Sequence, residues 1–498
     1  MYVKKRLIFI VCCFSLFQFG NTAVGETVRK ITLPEAIKIA TDSSLTSFKA
    51  KNMYLSGYWE YRTFRAERLP AISLDMNPFS YNKNFIKRYD YTNNVDTYKS
   101  QQSLNSSANL SVKQNLDATG GTFYIDTELG YLRYFGLNTY EQYSSVPIRI
   151  GYSQSLFGFN SFKWEKRIQP IRYEKVKKEL LYSLAEISEQ TSEYFFDLAL
   201  NQTAYDIAKQ NIANNDTLYQ IGLEKYKIGT ISQSDLLTLK LGVINSKSDV
   251  GNAEINLKKS TFLLASYLRF NREVQFKLSL PKEPLNIKLS VDEVLMIAKE
   301  NNPASLEQKE NILTAKQNLE KTKKESRFSA SLSASVGFNQ VADNFMDAYR
   351  KPLQQDIVSV GLNVPLIDWG VRKGKVNIAR ENLNTVNITA TQTEQTLEQD
   401  ILITVNEFNL RQSQIQLAQE AQEIAEHAYN KTKQLFIIGK TDVNGVNLAI
   451  SRQIEAELGY ITALKNYWLS YYKIRKLTLY DFIDKKALST KFEQINGF

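Results

Sequence analysis

Cysteine is almost missing from this 498-residue chain. Its two copies, Cys12 and Cys13, sit side by side in a short apolar run near the start. If that run is removed on export, the rest has neither disulfides nor thiol chemistry. There is one histidine, His427, with no cysteine near it, so it reads as an exposed helical residue and not as a metal ligand. No P-loop, nucleophile elbow or zinc spacing occurs, and scattered acids on helices read as solvated faces, so neither an enzyme nor a metal or cofactor site is expected. No stretch after the start approaches 18 uninterrupted apolar residues, so no transmembrane helix is expected. A β-barrel remains open, because it spans with alternating residues. The net charge is +10, but lysines and acids are mixed along the chain, and no nucleic-acid partner is expected.

The start does carry a signal. Lys4-Lys5-Arg6, then Leu7 to Phe17, then the small-residue site Ala23-Val24-Gly25 read as a secretory signal peptide over residues 1–25. Lipidation at Cys12 or Cys13 is the weaker reading. Too few apolar residues precede them, and Phe9, Ile10 and Val11 are not small.

Beyond residue 25 the chain repeats itself. Gly151 to Phe157 lies over Gly361 to Ile367, an offset of 210. Leu200, Gln202, Ala208 and Tyr219 then match Leu410, Gln412, Ala418 and Tyr429 without a gap, and Ile228-Gly229 matches Ile438-Gly439. Ile31 to Ala40 lies over Leu289 to Ala298 at offset 258. The offsets differ by 48, so the first copy holds that many extra residues between positions 44 and 151. Two large copies of one unit suit a wall, tube or array better than a single catalytic pocket. The organisation expected is a first repeat over 26–288, a second over 289–480 and a tail over 481–498.

Each copy contains a long helical pattern. From Ser161 to Ile228 the only proline is Pro170, and glycine is absent before Gly222. Leu180, Leu184, Ile187, Thr191, Tyr194 and Leu198 recur at spacings of four and three, as do Ile401, Val405, Phe408, Gln412 and Ile415. The polar members suggest a loose or solvated seam. Such a helix reaches roughly 100 Å. Both copies break at glycine, Gly229 and Gly439, and resume after a capping residue, Ser232 or Asp442. The pattern predicts helical hairpins over 161–270 and 371–477, too thin to bury a core alone.

Before each long helix the period changes to two. Phe328, Ala330, Leu332, Ala334, Val336 and Phe338 alternate with small residues, as do Val358, Val360, Leu362, Val364 and Leu366. The first copy has Ile72, Leu74, Met76 and Ile148, Ile150, Tyr152. Segments of about 10 residues suit tilted strands across a bilayer. The surplus holds two more candidates, Asn105 to Asn115 and Thr122 to Phe135, around the turn Asp117-Ala-Thr-Gly-Gly121. Between strands, Tyr81, Phe85, Tyr89, Tyr91, Tyr98, Tyr134, Phe135, Tyr140 and Tyr143 read as long aromatic outer loops.

The duplicated order of short helix, strand pair and long helical hairpin, behind a signal peptide, resembles the TolC family of outer-membrane efflux channels, from Ile31 to Tyr480. Leu33-Pro-Glu-Ala-Ile-Lys-Ile-Ala40, Arg65-Ala-Glu-Arg-Leu69-Pro70, Leu156-Phe-Gly-Phe-Asn160, Leu366-Ile-Asp-Trp-Gly-Val-Arg372, Tyr226-Lys-Ile-Gly229 and Phe436-Ile-Ile-Gly439 are similar to the family's junctions and tips. The resemblance implies an α+β membrane protein: a TolC-like homotrimer whose transmembrane β-barrel, with four to six strands per chain, continues into a periplasmic α-helical barrel. It implies a conduit through the outer membrane of a Gram-negative cell, fed by an inner-membrane pump through a periplasmic adaptor (membrane fusion protein), with outer-membrane lipid around the barrel and no cofactor. The adaptor and gate would meet the tips at Tyr226, Ile228, Gly229, Asp235, Phe436, Ile438, Gly439 and Lys440. Asn444 and Asn447 read either as lumen-facing residues of the gate or as ordinary exposed helix residues. The family's best-known member has acidic residues six and nine positions after the second-tip glycine. Gly445 and Leu448 stand there in this chain, so that cation-sensitive constriction does not carry over. Asp235 matches a residue that helps hold the tips closed, with partners in the second tip, where Phe436 replaces a tyrosine and Thr441 an arginine. Two other readings are a structural periplasmic coiled-coil rod, which would lack barrel strands, and a passive porin, which leaves the long helices unexplained.

Overall fold

The structure, a computed structural model, describes residues 28–135, 139–271, 274–281 and 287–495. The expected signal peptide, with Cys12 and Cys13, lies outside the described residues. In chain order, β1 (Val28–Thr32) leads into α1 (Leu33–Ser43) and α2 (Leu45–Ala66), followed by β2 (Ala71–Asp90), β3 (Val95–Asn115), β4 (Thr122–Phe135) and β5 (Tyr140–Leu156). Then come α3 (Ser161–Lys227), α4 (Gln233–Tyr267) and β6 (Gln275–Ser279). The second half runs α5 (Val291–Asn301), α6 (Pro303–Glu325), β7 (Ser329–Ala342), β8 (Leu353–Asn363), α7 (Val371–Ile437) and α8 (Val443–Thr478). Both α3 and α7 are 67 residues long. No helix among the described residues is long and apolar enough to cross a membrane.

Local chemistry sets the helix ends. Thr32 and Glu35 form a capping box at α1, with Pro34 in the first turn where its missing N–H costs nothing. Along the long helices, α3 and α8 lie in the middle, α4 flanks α3, and α7 flanks α8. The heptad-like stripes form the seam of this layer, where Ile187, Leu198, Ile401, Val405, Phe408 and Ile415 are buried, while Leu180 is buried against Ala50 and Tyr54 of α2. The expectation of a solvated seam is corrected. Thr191 is fully buried and donates to the Ile187 carbonyl at 2.6 Å, while Ser188 and Ser192 donate to Leu184 and Ser188. Bonding back to the preceding turn satisfies each hydroxyl without water. Nearer the sheet, α2 packs on α3, and α6 lies between α3 and α7.

The strands form one six-stranded antiparallel sheet in the order β2-β3-β4-β5-β7-β8, so β2 and β8 are its edges. The hairpin of the surplus segment pairs with β2 on one side and β5 on the other. Its turn closes through Gly120, at φ +76°, with Gly120 N–H donating to the Leu116 carbonyl at 2.8 Å. The strand register sorts most side chains by polarity, with Gln154 and Asp356 as exceptions on the apolar face. Ile72, Leu74, Met76, Leu110, Val112, Ile125, Ile150, Val336, Val358, Val360 and Leu362 share one face. Ser73, Asn109, Ser111, Asp126, Arg149, Ser333 and Ser359 share the other. Most of the apolar face is exposed in the single chain, with Val358 at 74%. On the polar face Asp126 is buried, its carboxylate accepting from Arg149 at 2.6 and 3.0 Å and from Asn109 at 3.3 Å.

Two findings depart from expectation. The strands are longer than about 10 residues: β2 has 20 and β3 has 21. The stretch holding Tyr81, Phe85, Tyr89 and Tyr98 is strand and not loop, because alternating aromatic residues favour the pleated ribbon. Pro78 and Pro147 lie inside β2 and β5. Register shifts fall between Asn77 and Ser80 and between Ser145 and Arg149, so Pro78 and Pro147 each sit in a bulge, where no ladder N–H is needed.

At the sheet-to-helix boundary three separate sequence motifs meet. Arg68 pairs with Asp117 at 3.2 Å and donates to the Phe162 carbonyl, while Asn160 caps α3 and donates to the Asp117 carbonyl at 2.9 Å. The second boundary uses Asp368, which accepts from the Arg372 guanidinium at 2.5 Å and from the Arg372 and Gly370 amides. Those bonds, the guanidinium first, hold its carboxyl well below the usual carboxylate range.

Candidate functional site: the paired hairpin tips

The two helical hairpins end in the same backbone motif. Ile228 closes α3, Gly229 follows at φ +76°, and the Thr230 amide donates to the Lys225 carbonyl at 2.9 Å. In the second hairpin Ile438 closes α7, Gly439 lies at φ +78°, and the Lys440 amide donates to Leu435 at 2.8 Å. Both are Schellman endings, in which glycine adopts the left-handed conformation without a Cβ penalty. The return helices are capped at once. Ser232 and Asp235 form a capping box on α4, and Asp442 accepts the Gly445 amide at 2.8 Å on α8. The Ser232 hydroxyl, then its amide, hold the Asp235 carboxyl below its ordinary value. Within the single chain Asp235 bonds to Ser232 of its own hairpin and so caps α4.

Side chains divide between surface and interior. Ile228 is 74% exposed and Ile438 is 63% exposed, with Tyr226, Gly229, Gly439, Lys440 and Asn444 also at the surface. Asn447 is half-buried. Phe436, expected at the tip surface, is 1% exposed. It packs with Leu218, Leu239, Tyr429, Val443, Val446 and Ile450 in a cluster that joins the two hairpins. A groove of about 970 Å³ runs between the tips, lined by Lys225, Ile231, Asp235, Phe436, Lys440 and Asp442.

Two residues that the sequence reading passed over hold this region together. The Lys225 ammonium donates to the Phe436 carbonyl at 2.7 Å and lies 5.0 Å from the centre of its ring. A cation from the first hairpin therefore sits on the negative end of the second hairpin's long helix. Tyr429 is buried in the same cluster, burial pushes its hydroxyl up, and that oxygen has no hydrogen-bond partner among the described residues. Lys225 lies only one residue before the Tyr226 to Gly229 motif, but its partner is more than 200 positions away, and local pattern cannot reveal it. The outer stripes were also missed. On α7, Ile403, Leu410, Leu417 and Ile424 are exposed at spacings of seven, and on α4 Leu237, Leu241, Ile244 and Ile255 are exposed at spacings of four, three and eleven. The heptad spacing was a readable signal for these. Among the described residues no cluster of His, Cys, Asp and Glu could hold a metal ion.

The comparisons bear on this arrangement. Residues 298–478 match the family model described as "Outer membrane efflux protein". No curated protein matches the chain in sequence. Among solved structures, the CmeC outer membrane channel of Campylobacter jejuni is similar at TM-score 0.66 and 13% identity, over 93% of this chain and 88% of that one. The outer membrane protein VceC of Vibrio cholerae is similar at TM-score 0.59 and 13% identity, over 90% and 96%. The open-state MtrE outer membrane channel of Neisseria gonorrhoeae is similar at TM-score 0.59 and 13% identity, over 90% and 88%. Residues 298–478 thus resemble an outer membrane efflux protein domain, in a chain that has the fold of TolC-like outer-membrane channels.

Proposed function

We propose that this chain is one third of an efflux conduit through the outer membrane of a Gram-negative cell. The observation that carries this reading is that both layers of the chain are open at both sides. The sheet ends in unpaired edges at β2 and β8 and exposes a continuous apolar face. The helical layer ends in α4 and α7, each with an exposed apolar stripe. Open strand edges cannot face hydrocarbon, because each unpaired backbone group costs several kcal/mol there, so the sheet must close with other copies. Three copies, each giving six strands, would make a barrel of about 18, the size class that leaves an aqueous channel. The apolar face then meets lipid, the serine-rich face lines the channel, and the helices continue it into the periplasm. A coiled-coil rod does not account for the apolar-faced sheet, and a passive porin does not account for the helices.

In this reading the tips are the periplasmic gate. Tyr226, Ile228, Gly229, Ile438, Gly439 and Lys440 offer a surface to a periplasmic adaptor, Asn444 and Asn447 face the lumen, and Lys225, Phe436 and Asp235 hold the closed geometry. An inner-membrane pump supplies the cargo. The signal peptide over 1–25 routes the chain outward, and residues 26–288 and 289–480 act as two equivalent halves. The test is membrane fractionation with cross-linking, followed by complementation of a strain lacking its own channel. Trimers that co-sediment with outer-membrane markers, and resistance restored only alongside adaptor and pump, are expected. Monomers in the soluble periplasmic fraction would reject the reading.

A further inference from the structure

The sheet does not stop where its neighbours stop. Pairing between β3 and β4 ends at Gln102 and Phe135, while β2 and β3 continue together to Asp90 and Val95. Beyond Lys83 the ribbon has two strands among the described residues, at the end of the sheet opposite all four helix junctions. Two-stranded ribbons are marginal in water without something to cover a face. The two faces of this one differ. Tyr81, Lys83, Phe85, Lys87 and Tyr89 share a face with Leu104 and Tyr98. Asn82, Asn84, Gln101, Ser103 and Thr97 share the other, with Ile86, Arg88 and Lys99.

The aromatic face continues the apolar face below it. On β3 the outward positions are even throughout, from Val112, Leu110 and Ala108 to Leu104 and Tyr98. On β2 they are even at Ile72, Leu74 and Met76 but odd at Tyr81, Phe85 and Tyr89. The bulge at Pro78 and Phe79 supplies the extra residue that makes this switch. Without it the rings would turn to the side of Ser107 and Asn109. Arg133 and Phe135 lie on the same outward side, with the Tyr81 and Phe135 rings 6.3 Å apart. The cations there are Lys83, Lys87 and Arg133. Lys87 pairs with Asp96 at 2.8 Å and Arg133 with Glu141 at 3.4 Å, while Lys83 has no acidic partner among the described residues. From Tyr81 to Tyr89 the ribbon rises roughly 20–25 Å at the usual barrel tilt.

We propose that this face binds the phosphorylated glycolipid of the outer leaflet, with the rings against its sugars and Lys83 and Lys87 against its phosphates. The inference rests on the reading of the apolar face as lipid-facing. Its occupant follows from continuity: whatever lies beside Tyr81 and Phe85 is the headgroup layer of whatever lies beside Leu74 and Met76. The test titrates lipid A onto the detergent-purified full-length protein, read by native mass spectrometry. Wild type should bind lipid A, and K83E/K87E should bind roughly 25-fold more weakly, at about fivefold per lysine. K83R/K87R should retain binding, and phosphate-stripped lipid A should lose it. Equal binding by wild type and K83E/K87E would overturn the proposal. So would equal competition by a soluble phosphorylated core oligosaccharide, which would assign the face to a free ligand. Both variants should fractionate with the outer membrane as wild type does. Failure of wild type to reach that membrane would instead sink the underlying reading.

Discussion

A single ammonium group, that of Lys225, joins the hairpins at their tips by capping α7 from α3. Lys225→Met keeps the stem but removes the charge. It should raise single-channel conductance in planar bilayers while trimers remain intact; conductance equal to wild type would assign closure to other contacts. Tyr429 makes the opposite kind of test. Its buried hydroxyl lacks a partner among the described residues, and an unsatisfied polar group costs about 1–3 kcal/mol. Tyr429→Phe should therefore stabilise the tips by about 1 kcal/mol, seen as slower hydrogen exchange around Phe436 and Val443. Asp235 carries the pH dependence of its cap. Its folded carboxyl is held below the unfolded value, so its contribution is present above the unfolded pKa and fades as pH falls through the folded one. Protection of the Ser232 and Asp235 amides, relative to their intrinsic exchange rates, should be unchanged from pH 7 to about 5 and fall only below about 4. A fall near pH 6 would point to a different titrating group.

At the scale of elements, the apolar cluster at the tips is what couples two hairpins that are each too thin to be stable alone. Phe436→Ala should weaken that coupling by about 3–5 kcal/mol and leave the seam around Phe408 unchanged, so protease cutting near Gly229 and Gly439 should appear first. The ends of α3 and α7 were legible in the sequence because they are written locally, in Gly229, Gly439, Ser232 and Asp442. The lengths of β2 and β3 were not. Pro78 looks like a strand end, and the run of Tyr, Asn and Lys after it looks like loop, unless the bulge is known. The seam was visible in its spacing but misjudged in its wetness, because Thr191 and Ser188 find partners within their own helix. Phe436 was placed at the right end of the molecule and on the wrong side of its surface, since neighbours from three other helix segments bury it.

At the scale of the whole molecule, the exposed stripe of Leu410 and Leu417 on α7 and that of Leu241 and Ile244 on α4 are the edges that other copies would cover. Glutamate at both positions of α7, L410E/L417E, should leave the chain folded and shift trimers to monomers in light scattering after gel filtration. Trimers that persist would locate the contact elsewhere. The bulge at Pro78 has a consequence of another sort. A strand's inside and outside alternate like a two-letter reading frame, and the residue pair Pro78-Phe79 is a frameshift that the chain carries permanently. Deleting one residue there would evert everything from Ser80 to Asp90, placing tyrosines in the channel and asparagines against the bilayer, whereas deleting two nearby in the regular strand would only shorten the ribbon. Gene-level variation in this segment should therefore occur in steps of two codons, or in single steps that create or erase a proline.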